Sequence, residues 1–365
     1  MDAELILKND ERAVFRLREL YRRHGYLPYK MSKFEEYDLY VRNKSFLVSD
    51  HILTFTDVDG KLMALKPDVT LSILKNSNSG RGLQKVYYHE NVYRTSPASH
   101  GYREIMQAGL ECIGPLDSYA VGEVVMLAAR SLETISEEYL LDLSHLGFVS
   151  GLLAPLSLSR ETEAALLKAM GEKNVPALRQ LGREQGLPEE TVEALSRLAL
   201  LYAPPAKALP VLEELAVTEG SRAALRELQE LWGLLEQYGL GDRLRLDFSI
   251  VNDMNYYSGV IFRGYLPGLA SGVLAGGRYD NLLRKMGREG GAIGFAVYLD
   301  QLERFGQQSR DCDVDVLLLY DDSRTPAAVA AGANAILASG KTVRVEREIP
   351  DGLKYRELRD MRKEA

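Results

Sequence analysis

Cysteine is nearly absent from this chain of 365 residues, which has only Cys112 and Cys312. The two lie far apart with no CxxC partner, so neither a disulfide frame nor a thiolate zinc site is available. Histidine is also scarce. Its five copies (His24, His51, His89, His100 and His145) are scattered, and no pair has metal-ligand spacing, which leaves them solvated or structural roles. No run approaches the roughly 20 apolar residues of a membrane helix. The N-terminus, MDAELILKND, is charged from its second residue, so no signal peptide is expected. Neither sign of charge dominates: 45 Lys+Arg against 52 Asp+Glu give a formal net charge of -7, which speaks against a general nucleic-acid coat. GxxxxGK[ST], HExxH, GxSxG and EF-hand patterns are all missing, which removes the common phosphate, zinc, serine-hydrolase and calcium readings. A cytoplasmic chain is expected.

At 46% hydrophobic and 27% charged residues, a folded core is expected, and the length allows two or three domains. From Glu11 to about Arg23, Val14, Leu17, Leu20 and Tyr21 recur at helical spacing, and Gly25 stands where a helix would stop. The Tyr/Val-rich runs Ile52–Thr56, Lys85–Arg94 and Ala108–Gly114, each followed by turn residues, predict antiparallel strands joined by hairpins. A helix follows at about Tyr119 to Ile135. Residues 157–240 are Leu/Ala/Glu/Arg-rich with helical periodicity, broken at Pro204-Pro205, and predict an inserted packing module of roughly three to five helices. Strand signals return at Arg245–Val251 and Ser258–Tyr265. The glycine-dense Gly272–Asp280 follows them, and then a helix expected from about Gly294 to Phe305. A polar linker, Gly306–Asp311, leads into a βαβ-like tail, short for an independent domain. The expected class is α+β, with a core over 1–306, a helical insertion over 157–240 and a tail over 311–365.

If Ala108–Gly114 is a strand, Gln107, Gly109 and Glu111 share one face by period two. A Glu and a Gln on a face of an apolar strand are costly to bury unless bonded. They form either a satisfied buried network or the wall of a pocket for a polar ligand carrying N–H donors.

Several segments then carry a resemblance. ALKPDVT (Ala64–Thr70), VYRTSPASHGYREIMQAGLECIG (Val92–Gly114), NDMNYYSGVIF (Asn252–Phe262), GGRYDNL and GFAVYLDQL stand in the order and spacing of histidyl-tRNA synthetase, a class II synthetase. They resemble its "LRPEGT" segment, motif 2 hairpin, "RGLDYYTG" segment, glycine-rich strand and motif 3. Gly25–Glu35 resembles motif 1, with Ser32 in the place of its proline. The resemblance covers most of residues 1–305 and implies the class II antiparallel sheet flanked by helices.

Carried over position by position, the family's histidine pocket is largely kept. Glu111 and Tyr257 fall where side chains hold the imidazole. Thr70, Asp68 and Gln107 fall where the α-amino group is held, Asp68 replacing a Glu. Arg94 matches the motif 2 arginine, and Tyr256, Gly276 and Gly277 complete the expected histidine-binding set. The groups that serve ATP are not kept. Ser96 replaces the motif 2 glutamate within a shortened hairpin. Asn252 replaces the arginine of the histidine segment, Gln301 that of motif 3, and Tyr298 a nearby glycine; Asp253 and Asn255 replace the glycine and aspartate of "RGLD".

Amino-acid activation needs guanidinium groups on the charge that builds at the α-phosphate, and losing one such donor costs on the order of 10²–10³ in rate. The pattern resembles the family's non-aminoacylating branch, the regulatory subunits of ATP phosphoribosyltransferase, and Asp142–Leu156 resembles that branch's version of the region. The resemblance implies no catalytic residues, cofactor or metal. It implies L-histidine as effector, a homodimer within a hetero-oligomer with the short-form catalytic subunit, and neither membrane nor tRNA as partner. The alternatives are a divergent histidyl-tRNA synthetase and a paralogue that uses the pocket for another task.

Overall fold

The structure is a computed structural model and describes residues 7–44, 51–77, 82–95, 101–250, 256–302, 305 and 312–362. Ser96, Asn252, Asp253 and Asn255 lie outside the described residues. The chain divides into two compact units, Met1–Phe305 and Gly306–Ala365.

The larger unit is built on a sheet of nine strands among the described residues. Their order is Leu27–Pro28, Gln84–Thr95, Tyr102–Gly114, Gly291–Tyr298, Leu274–Arg278, Val260–Tyr265, Leu140–His145, Leu244–Asp247 and Tyr202–Ala203. All neighbours pair antiparallel except Leu27–Pro28 with Gln84–Thr95 and Leu140–His145 with Leu244–Asp247. The 84–95 and 102–114 strands form the long hairpin, from Gln84 opposite Ile113 to Thr95 opposite Tyr102.

One face of this sheet carries the helices Asn9–Arg23 and Ser118–Ile135. The first buries Val14, Leu17 and Tyr21 of the stripe its spacing predicts, with Ala13 beside them, and Leu20 is partly buried. The second is buried along most of its length and is capped by Asp117, whose side chain accepts from the Ala120 N–H. On the opposite face Val86, Tyr88 and Ile113 pack with Tyr40, Leu71, Ile73 and Leu282, from the short helices Tyr37–Arg42, Thr70–Asn76 and Asp280–Lys285. A small three-stranded antiparallel sheet (Phe34–Glu36, Leu62–Leu65, Thr54–Thr56) adjoins them.

The 157–240 stretch contains five helices: Arg160–Gly171, Val175–Glu184, Glu189–Leu200, Pro205–Leu215 and Glu219–Gln237. The Pro204-Pro205 break falls between the third and fourth, since a second proline fits the first turn of a new helix and not the interior of the old one.

One expected element is overturned. The expected helix at 294–305 is instead the strand Gly291–Tyr298 followed by the 3-10 turn Leu299–Gln301. Its backbone is hydrogen-bonded between two neighbouring strands, and its apolar residues are buried on both faces. A run buried on both faces loses period-two alternation and cannot be told from a short helix by pattern alone.

The smaller unit has a parallel sheet ordered Val343–Glu346, Val314–Leu319 and Tyr355–Asp360, the last strand being unanticipated. The helix Pro326–Ala338 packs Ala333 and Ile336 against Val316 and Leu318.

Candidate functional site

The register of the central strands places the expected site residues. Glu111 stands opposite Gly294, Gly109 opposite Ala296, and Gln107 opposite Tyr298, so all three pairs present one face of the sheet. Glu111 and Gln107 are buried, 2% and 3% exposed. A Cβ on Gly294 would fall on the Glu111 carboxylate, so a glycine there is what leaves the carboxylate its room.

Asp68 and Thr70 reach the same place from the turn that starts the 70–76 helix. The Asp68 carboxylate accepts from the Leu71 N–H (2.9 Å), which fixes its orientation at that helix start. The Thr70 hydroxyl donates to Glu111 Oε1 (2.8 Å), and the Tyr279 hydroxyl donates to Glu111 Oε2. Arg94 donates from Nε to the Pro67 carbonyl (2.8 Å), which holds its guanidinium near Asp68. Tyr256 and Tyr257 meet edge to face with ring centres 4.7 Å apart, and Tyr256 also lies 5.6 Å from the Tyr279 ring.

These residues line one cavity of about 70 Å³. Asp68, Thr70, Arg94, Gln107, Glu111, Tyr256, Tyr257 and Gly276 all belong to its wall. Gly276 contributes backbone, because its α-carbon side faces Phe262 and Phe295 on the helical face of the sheet. Gly277 is not in the wall. Its missing side chain leaves space for the Tyr257 ring and Ile261, so it acts one layer behind the cavity. Tyr88, Tyr279 and Tyr298 also line it. Tyr279 is not in the histidine-binding set expected from the sequence. A signal for it existed, since period two from Gly277 puts Tyr279 on the Glu111 face.

The residues expected to replace the nucleotide machinery part company. Tyr298 fills the wall beside Gln107. Gln301 lies outside the wall, where its side-chain oxygen accepts from the Ser271 hydroxyl (3.2 Å). Arg94 is the one guanidinium in the wall among the described residues.

Burial dominates the electrostatics. It pushes the Glu111 carboxyl up to about 8, against the opposing pull of the Tyr279 and Thr70 hydroxyls and with a smaller push from the Asp68 charge. Burial also raises Asp68, and the Arg94 charge counters it. Two desolvated carboxyls and one guanidinium around a small cavity suit a ligand that brings N–H donors or positive charge to the acids and a carboxylate to the arginine. No cluster of three or more His, Cys, Asp or Glu side chains suited to a metal occurs among the described residues. No helix among the described residues is long and apolar enough to cross a membrane.

Comparison with known proteins gives consistent neighbours. The family model described as histidyl-tRNA synthetase matches residues 6–302. An ATP phosphoribosyltransferase regulatory subunit of Clostridium kluyveri is 31% identical over 84% of this chain and 81% of its own length. One from Bacillus mycoides is 28% identical over 86% of this chain and 77% of its own. A crystal structure from Bacillus halodurans, described as an ATP phosphoribosyltransferase regulatory subunit/histidyl-tRNA synthetase, superposes with a TM-score of 0.76 at 25% identity. It covers 97% of this chain and 94% of that one.

Proposed function

Because this chain belongs to the ATP phosphoribosyltransferase regulatory subunits, within the histidyl-tRNA synthetase family, we propose that its sheet-face cavity is a sensor for L-histidine. The chain is a regulatory subunit and not itself the catalyst. In this reading it joins a short-form catalytic subunit in the cytoplasm, as a homodimer within a hetero-oligomer, and serves the first step of histidine biosynthesis.

The observation that carries the ligand is the pairing of Glu111 and Asp68, two buried carboxyls, with Arg94 in one wall. Histidine supplies what this wall lacks. Its imidazole N–H meets Glu111 beside Tyr257, its ammonium meets Asp68, Thr70 and Gln107, and its carboxylate lies toward Arg94. Each contact gives a desolvated group a further hydrogen bond, charge-assisted where the carboxylate meets Arg94 and the ammonium meets Asp68.

A cavity that holds histidine without activating it consumes nothing, so its occupancy acts only by shifting an equilibrium elsewhere. Feedback then requires a coupling of typically about 1–3 kcal/mol between this cavity and a catalytic site on the partner chain, and the coupling is reciprocal. The test is co-purification with the short-form catalytic chain and assay of phosphoribosyl transfer with and without histidine. The catalytic chain should be weak alone, activated in the complex, and inhibited there by histidine. Glu111→Ala should leave assembly and activation intact and remove the inhibition. Inhibition of that mutant complex at the wild-type histidine concentration would put the sensor elsewhere.

A further inference from the structure

A second and larger cavity, of about 310 Å³, lies on the other face of the sheet. Arg278 and Val260, which contribute to it, share the face of Phe262 and Phe295, whereas Glu111 and Gly294 point the opposite way. The sheet therefore separates this cavity from the histidine site proposed above, and the two can be occupied independently.

Its floor is aliphatic. Leu231 of the 219–237 helix and Val260 are buried, 6% and 3% exposed, and Val121 closes one side. Its polar groups are few and opposed in sign. Arg278 commits its Nε to Asp280 (2.8 Å), and no contact among the described residues takes its terminal nitrogens. Glu227 lies across the cavity, half exposed, with His145 Nε2 3.1 Å from its carboxylate. That hydrogen bond, with the Arg278 charge adding to it, holds Glu227 below the usual carboxylate range and therefore ionised. His145 is 4% exposed and lines the cavity, yet its Nδ1 has no hydrogen-bond partner. That atom packs beside Gly147, while Nε2 is the ring nitrogen turned to Glu227. At the mouth stand Asp117 and Ser118, the latter donating to Glu230 (2.8 Å). Asp117, Glu227 and Glu230 make that mouth acidic and unsuited to phosphates or nucleotides.

We propose that this cavity binds a free aliphatic α-amino acid. The ammonium sits by Glu227 and the Asp117 side, the carboxylate meets the terminal nitrogens of Arg278, and the side chain covers Leu231 and Val260. A zwitterion offers a partner to the terminal nitrogens of Arg278 and to the half-exposed Glu227 at once, whereas a molecule with only one of the two charges meets only one of them.

The test uses the full chain and L-leucine, with binding followed by ligand-detected NMR and calorimetry. Leucine should bind at least about tenfold more tightly than isopentylamine or 4-methylpentanoate, which carry only one of its charges. Glu227→Gln, on an exposed helix position, should weaken leucine by about tenfold or more, while Glu111→Ala on the opposite face should leave it unchanged. Absence of leucine binding at millimolar concentration would overturn the proposal. So would equal binding of either analogue, or loss of leucine binding in Glu111→Ala. That last result would put leucine in the first cavity and leaves the histidine reading intact, so the two proposals fail separately.

Discussion

Tyr279 donates its hydroxyl to the Glu111 carboxylate across a Gly294 that has no side chain to stand between them. Glu111 also accepts from Thr70, so both of its oxygens are engaged inside the protein before any ligand arrives. Each oxygen keeps a further lone pair, which is where an incoming N–H is received.

Histidine binding to the isolated chain should depend on that carboxylate. Glu111→Ala removes the bond to the imidazole and leaves the Thr70 and Tyr279 hydroxyls without their acceptor, at a cost of about 2–4 kcal/mol. Calorimetry should then read a fall in affinity of roughly 30- to 1,000-fold. An unchanged affinity would remove Glu111 from the site.

Gly294→Ala should damage the same site from the next strand. The added methyl overlaps the Glu111 carboxylate, so either the carboxylate swings away or the paired strands shift. Overpacking of this kind costs about 1–3 kcal/mol of stability, measurable by denaturant unfolding, and histidine affinity should fall with it. Gly287→Ala, where a Cβ meets nothing nearby but φ is +70°, is the control for backbone strain without a clash.

The pH dependence of stability follows from the direction of the Glu111 shift. Its carboxyl titrates near 8 in the folded chain and near 4.5 when exposed. Between those values the folded chain holds the extra proton, so stability is fully present at the acid end and falls as pH rises through about 8. Glu111→Gln, which cannot titrate, should flatten the stability profile across that window. A profile of unchanged slope in this variant would show that other groups set it.

Amino-acid activation should be undetectable. Histidine-dependent exchange of pyrophosphate into ATP reads that step directly, and with Asn252 and Gln301 in the places of arginines it should stay at background. Restoring both, Asn252→Arg with Gln301→Arg, should still fail, because Tyr298 occupies the cavity wall beside Gln107. Clear exchange in the natural chain would make it a working synthetase.

Lys66 offers a stability test outside the cavity. Its side chain is fully buried and its ammonium sits 2.6 Å from Glu90. Removing the acid by Glu90→Ala leaves a buried cation without its partner, for a cost of about 3 kcal/mol or more in unfolding experiments. Replacing Glu19, whose pairing with Arg23 is almost wholly in solvent, should change little.

Much of this was legible in the sequence, for local reasons. Period two alone put Gln107, Gly109 and Glu111 on one face, and the register with Ala296, Gly294 and Tyr298 agrees with it. The helical spacing of Val14, Leu17 and Tyr21 and the proline pair at Pro204-Pro205 likewise fixed elements from neighbours within a few residues. Such rules depend only on backbone geometry, so they act before the chain has a tertiary structure. The strand at 291–298 was not legible, because burial on both faces erases the alternation that distinguishes a strand. Nor was the pairing of Glu111 with Tyr279, or the meeting of His145, Glu227 and Arg278 around the second cavity. Periodicity decides which way a side chain points; which distant strand or helix it then faces is settled only when the whole sheet chooses its order and register.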